Sequence, residues 1–182
     1  MVKSRDQQHY QWQRYLCARD EDYETDDHGF LLSSGRSTLF GANQHLIYPH
    51  DLLKLRCAVV LGEAGIGKTT ILQQIEQIAC ENSVSSGLEC VPVDLGGYES
   101  SLELHSHLRE NPKIVAWIGG ESQLVLLLDS LDEGYLRIPT LMDALLRELA
   151  TLPVDRLRLI LACRASEWQQ SAGLPDAMRR TR

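Results

Sequence analysis

The sequence predicts a three-layer α/β domain, a parallel sheet with helices on both faces. Two observations carry this. From Arg56 onward, short apolar runs closed by turn residues alternate with stretches of helical periodicity. One of those runs, SQLVLLLDS, is apolar at successive positions, as a strand covered on both faces must be. Crossovers between such strands are right-handed.

Taken in order, RCAVVLG is the first buried strand, ended by Gly62. Lys68 to Cys80 reads as a helix: Ile71, Leu72, Ile75, Ile78 and Ala79 share one face, with Gln73, Gln74, Glu76 and Gln77 outside. It is expected to stop before the polar ENSVSSG. LECVPVDLGG is a second strand, and Pro92, which has no N–H for a ladder, assigns it to an edge. Glu99 to Gly120 reads as helical with a break at Asn111–Pro112. SQLVLLLDS is the third strand, and central. Pro139 suits the first turn of a helix, with Leu141, Met142, Leu145, Leu146 and Leu149 lining one face. RLRLILACR is the fourth strand, and the tail SEWQQSAGLPDAMRRTR admits a short helix.

Residues 1–50 form an irregular lead-in, expected to pack partly on the core that occupies 51–182. Within it QWQRYL reads as the opening of a short helix, and DEDYETDD, from Asp20 to Asp27, as a solvated acidic loop. GFLLSS and STLFGANQ read as loop or extended pieces, and LIYPHDLLKL carries a helical turn after Pro49.

At 182 residues the chain is long enough to bury a proper core. It has 43 % apolar and 24 % charged residues, which is the balance of a soluble globular protein. No run of eighteen apolar residues exists, and the N-terminus lacks the apolar core of a secretory signal, so a cytoplasmic location without a membrane partner is expected. A net charge of −7 argues against nucleic acid as a partner. The basic MRRTR reads as solvated surface. The five cysteines are odd in number and form no CxxC pair, so disulfide and zinc readings are poor. Cys57 and Cys163 behave most simply as small buried hydrophobes. His105 and His107, two apart, fall on different faces of a helix, which disfavours a metal pair.

The chemistry concentrates in LGEAGIGKTT. Gly62, Glu63, Ala64, Gly65, Ile66, Gly67, Lys68 and Thr69 match the pattern GxxxxGK followed by Ser or Thr, and Thr70 completes the candidate nucleotide-contacting set. Glycines let consecutive backbone N–H groups turn toward a phosphate, and the following helix directs its N-terminal partial charge at the same anion. Lys68 adds a full charge for the β- and γ-phosphates, and the Thr69 hydroxyl is placed to ligate Mg²⁺. A glycine-rich turn with a chance match is the alternative, but this one sits between a strand and an amphipathic helix, as a phosphate loop must.

The partner motif is LVLLLD followed by SLDE. A buried strand ending in Asp129 delivers a carboxylate to the metal at the carboxyl end of the sheet. Asp132 and Glu133 lie just beyond, where a carboxylate can orient or deprotonate water; one of them can equally be a helix N-terminal charge. Arg164, at the tip of the fourth strand, is either a contact for the γ-phosphate or a surface arginine in a loop.

Together, LGEAGIGKTT, LVLLLDSLDE and LILACRASEW resemble the NACHT family of P-loop NTPases, within the signal-transduction ATPases with numerous domains. The specific part is an Asp, a small residue, an apolar residue and two acids, here Asp129, Ser130, Leu131, Asp132 and Glu133. The resemblance covers about Gly29 to Trp168 and implies the additional-strand sheet order 2-3-4-1, with Arg164 as the sensor of the γ-phosphate. It implies ATP and Mg²⁺ as cofactors, slow or partner-dependent hydrolysis, and, in bacteria, a part in defence against phage. The absence of an NKxD-like guanine motif also favours ATP. Family members continue into a lid and a winged-helix region, so the resemblance implies a homo-oligomer, or a companion polypeptide supplying lid and sensor domains. An AAA-type remodelling or nucleic-acid-handling ATPase, a truncated non-catalytic nucleotide-binding module and a small-molecule kinase are the competing readings. The Asp-x-x-Asp-Glu spacing speaks against the first of these.

Overall fold

The computed structural model describes residues 14–19, 21–25, 27, 43 and 46–168. Four strands, β1 (Cys57–Leu61), β2 (Leu88–Asp94), β3 (Gln123–Asp129) and β4 (Leu157–Cys163), form one parallel sheet in the order β1-β4-β3-β2. Read from the other edge this is 2-3-4-1, the order of the additional-strand P-loop class. Between the strands run α1 (Lys68–Ser86), α2 (Ser101–Glu110), α3 (Pro112–Gly119), α4 (Leu131–Arg137) and α5 (Leu141–Leu149), and α6 (Ala165–Trp168) follows β4.

Side chains alternate across a strand, so each face of the sheet draws on every second residue. Val91, Val93, Leu126, Leu128, Leu159, Leu161 and Cys163 join one large buried cluster with Leu104, Leu108, Ile114, Trp117, Leu141 and Leu145 from α2, α3 and α5. The intervening Val125, Leu127, Ile160 and Ala162 are equally buried on the face covered by α1, whose Ile71, Leu72, Ile75 and Ala79 are buried too. A 3₁₀ turn, Pro49–Lys54, packs on α1 through the buried Leu52 and Leu53.

β3 is the fully covered strand, with Leu124 through Leu128 all at 1 % exposure or less, as its unbroken apolar run requires. Pro92 is exposed on β2, an edge strand, where its missing N–H costs no ladder bond. The break at Asn111 is a shared cap. Its N–H donates to the His107 carbonyl, while its side chain accepts from the N–H groups of Lys113 and Ile114.

Four expectations for residues 51–182 change. α1 runs on to Ser86, through the polar residues expected to end it, because a helix whose apolar face is already docked on the sheet can extend past it without further apolar residues. Pro139 sits in the turn before α5, which starts at Leu141 after Thr140. The short helix α4 carries Asp132 and Glu133 in its first turn, as the helix N-terminal reading has it, but its run to Arg137 is not anticipated by the sequence. Cys57 is exposed rather than buried, since it opens β1 at the free edge of the sheet, whereas Cys163 is fully buried as expected.

The chain divides into two compact units, 1–48 and 49–182. In the first, Leu16 and Ile47 form an antiparallel bridge with reciprocal hydrogen bonds of 2.9 and 2.7 Å, so residues 14–16 of QWQRYL are not helical, while 11–13 lie outside the described residues. The described residues of the acidic run are exposed. Asn43 anchors it: its side-chain amide accepts from Glu24 N at 2.8 Å and donates to Glu24 O at 2.7 Å. GFLLSS, all of STLFGANQ but Asn43, and MRRTR lie outside the described residues.

Candidate functional site

Parallel pairing brings the carboxyl ends of all four strands to one end of the sheet, and the loops that leave them carry every candidate residue. Gly62 follows β1 directly, and its N–H donates to the Cys163 carbonyl on β4 at 3.3 Å. Gly65 and Gly67 take φ of +78° and +98°, a region closed to most side chains, so the loop can reverse twice in four residues. A Cβ on Gly62 would meet Ile66 Cγ2, a side chain of the same loop, at 2.8 Å, so a larger residue there would have to displace Ile66. Lys68, the first residue of α1, folds back: its Nζ donates to the carbonyls of Gly62 at 2.7 Å and Glu63 at 3.0 Å. Residues 63–66 are exposed, as are Thr69 and Thr70.

Beside the loop lies a cleft of about 200 Å³ lined by Thr69, Gln73, Glu76, Asp94 and Asp129 over a floor that includes Leu72 and Leu127. It brings together the two candidate metal ligands, Thr69 and Asp129. Asp94, which sequence reasoning passed over, stands opposite Asp129 in the β2–β3 register. The signal was present, because LECVPVD and QLVLLLD both end their strands in aspartate. Asp94 Oδ1 also caps the 3₁₀ turn Leu95–Gly97 by accepting from Gly96 N at 3.1 Å.

After Asp129, Ser130 adopts a left-handed backbone (φ 56°, ψ 37°) and its N–H donates to Asp129 Oδ1 at 2.8 Å. This turn aims α4 so that Leu131, Asp132 and Gly134 face inward and Glu133 faces out. α4 lies hard against the Leu95–Gly97 turn, since a Cβ on Gly134 would meet the Leu95 carbonyl at 2.6 Å.

Arg164 meets both acids. Its Nε lies 2.7 Å from Asp132 Oδ2 and its backbone N–H donates to Asp132 Oδ1 at 3.3 Å, while Nη2 stands 3.7 Å from Glu133 Oε1. Burial, and next the Asp132 carboxylate, push the neighbouring Cys163 thiol up to about 11, with Lys68 acting the other way. That thiol therefore stays protonated and inert at neutral pH. The structure thus gathers Arg164, Asp132 and Glu133 into one cluster, and Thr69 and Asp129 into one cleft beside the phosphate loop.

His105 and His107 serve separate contacts. His105 bonds to Glu148 at 2.7 Å and His107 stacks edge-on with Tyr98. Among the described residues no group of three metal-ligating side chains converges, and no helix is long and apolar enough to cross a membrane.

The sheet order and the glycine loop between β1 and α1 define the class: a P-loop NTPase-like α/β domain. No protein-family model and no curated protein matches the sequence. Among solved structures, a chain of a closed-state cryo-EM reconstruction of Hsp104 with ATPγS and FITC casein is similar, at 16 % identity and a TM-score of 0.40. The likeness covers 72 % of this chain and 24 % of that one, so this chain spans a minor part of that relative's length.

Proposed function

We propose that this chain is an ATP-binding, Mg²⁺-dependent NTPase module of a NACHT-type signalling switch, acting in the cytoplasm. The observation that carries nucleotide binding is the loop itself. Gly65 and Gly67 turn the loop through left-handed φ values of +78° and +98°, and the Lys68 ammonium is folded back over it by two loop carbonyls. In this reading the backbone N–H groups of the loop and the N-terminus of α1 hold the β- and γ-phosphates, and Lys68 neutralises part of their charge. Thr69 and Asp129 hold the cation; with Asp129 Oδ1 engaged by Ser130, Oδ2 is the oxygen available to it. A magnesium ion held by these residues would offset the charge that develops on the phosphates.

The switch reading rests on the order Asp129, Ser130, Leu131, Asp132, Glu133 and on Arg164 reaching the same acids from β4. Oligomerisation under nucleotide control, a companion chain and phage defence follow from the family resemblance. The test is titration of the purified protein with fluorescent ATP and Mg²⁺ beside Lys68→Ala. The variant should lose about 100-fold in affinity, equivalent to about 2.7 kcal/mol, and keep its fold. Equal binding by the two proteins would refute the phosphate-loop assignment. Binding without turnover by the wild type would leave a nucleotide-holding module in place of an enzyme.

A further inference from the structure

Taking the nucleotide-binding reading as its basis, we infer that the two acids of Ser-Leu-Asp-Glu divide their work. Asp132 is a positioning residue that holds Arg164, and Glu133 alone remains to act on water. Four observations lead there. The Asp132 side chain is 7 % exposed, with one oxygen on Arg164 Nε and the other on the Arg164 backbone N–H. A carboxylate so enclosed and engaged at both oxygens is poorly placed to deprotonate water, which needs an accessible lone pair. Glu133 is 55 % exposed, and its distance of 3.7 Å from Nη2 leaves it within charge range of the arginine but outside hydrogen-bond range. Finally, the Arg164 main chain is fastened on its other side, since the preceding carbonyl, that of Cys163, accepts from Gly62 N at 3.3 Å.

Asp132 therefore ties the tip of β4 to α4 at the point where β4 is tied to the first residue of the phosphate loop. Of the five N–H donors on a guanidinium, the Asp132 bond uses Nε. The terminal amino groups remain, on a side chain 41 % exposed, to meet an anion. The aspartate fixes the base of the arginine and leaves its terminal amino groups, with Nη2 within charge range of Glu133 but not hydrogen-bonded to it, to meet phosphate.

The experiment compares ATP and ADP affinities, with a melting curve for each protein, in wild type, Asp132→Asn, Arg164→Ala, the double variant and Arg164→Lys. Single-turnover hydrolysis is measured alongside, with Glu133→Gln added. The wild type should prefer ATP, and Asp132→Asn should lower that preference about tenfold, as Arg164→Ala does, with the double variant no worse than Arg164→Ala. Arg164→Lys keeps the charge but lacks Nε and should fail like the alanine variant; it carries the test if Asp132→Asn does not fold. Glu133→Gln should slow turnover and leave the preference for ATP in place. Three results would overturn the inference: Asp132→Asn retaining full preference while losing turnover as Glu133→Gln does, Arg164→Lys behaving as wild type, or a wild type that holds ATP and ADP alike. A wild type that binds neither nucleotide sinks the nucleotide-binding reading itself, and this inference with it.

Discussion

The phosphate loop and the acid–arginine cluster stand at the same end of the sheet and are built in opposite ways. The loop is backbone: residues 63–66 are exposed, its conformation is set by Gly65 and Gly67, and its Lys68 bonds to main-chain carbonyls. The cluster is side chain and packing: Asp132 is buried, Gly134 lies against the Leu95 carbonyl, and Arg164 reaches over from another strand. A local structure can be changed locally, whereas a packed one transmits each change to the elements that share it. Substitutions in the loop should therefore cost binding with little stability, and those in the cluster should cost both.

The strongest way to break this contrast is Gly134→Ala. The new methyl would press on the Leu95 carbonyl at 2.6 Å and on Leu141 Cδ2 at 2.7 Å, and backbone cannot rotate aside. We expect a loss of about 3 kcal/mol in denaturant unfolding, with α4 displaced. A loss below about 1 kcal/mol would show that the cluster is not close-packed.

Gly65→Ala is the matching probe of the loop. A Cβ there meets nothing within 4 Å, so the only cost is holding alanine at φ +78°. That amounts to about 1 kcal/mol, read from the same unfolding curves. A larger effect would mean that the loop is packed after all.

The smallest effect belongs to a clamp remote from both regions, which serves as a baseline. Glu148 on α5 bonds to His105 at 2.7 Å and accepts from Arg109 Nε at 3.0 Å. Burial raises its carboxyl pKa, but the hydrogen bonds and charges of His105 and Arg109 outweigh that and leave it below the ordinary value. A carboxyl depressed in the folded state stabilises above its unfolded pKa, about 4.3, and that contribution is lost as pH falls through the folded value. Glu148→Gln should cost about 0.5 kcal/mol at pH 7, and the gap from wild type should close as the pH drops below about 4. A gap unchanged between pH 7 and pH 3 would remove the ion pair as its cause.

Much of the fold was legible because its signals are local. A continuous apolar run marked β3 as central, Pro92 marked an edge, and Asn111–Pro112 marked a helix break; each depends on a residue and its near neighbours. The failures have a common physical source. The polar ENSVSSG signals a stop in the sequence, yet α1 continues to Ser86, because docking of the apolar face on the sheet, not polarity alone, decides how far a helix extends. Cys57 reads as buried from the apolar run it opens, while exposure depends on which strand lies alongside. The extent of α4 is not legible, since a seven-residue helix shows too little periodicity to register, although its start at the two acids is.

By itself the sequence determined the glycine loop between β1 and α1, the strand that presents Asp129, and the alternation that makes the sheet parallel. All of these are written in spacing along the chain, because backbone conformation answers mainly to the residues within a turn or two. Only the tertiary structure decided which of two adjacent acids is spoken for. Asp132 and Glu133 are one residue apart and chemically near equivalent in the sequence. The left-handed turn at Ser130 and the close fit of Gly134 rotate one inward to Arg164 and the other out to solvent. Arg164 itself, thirty-one positions or more further along, arrives only because β4 inserts between β1 and β3.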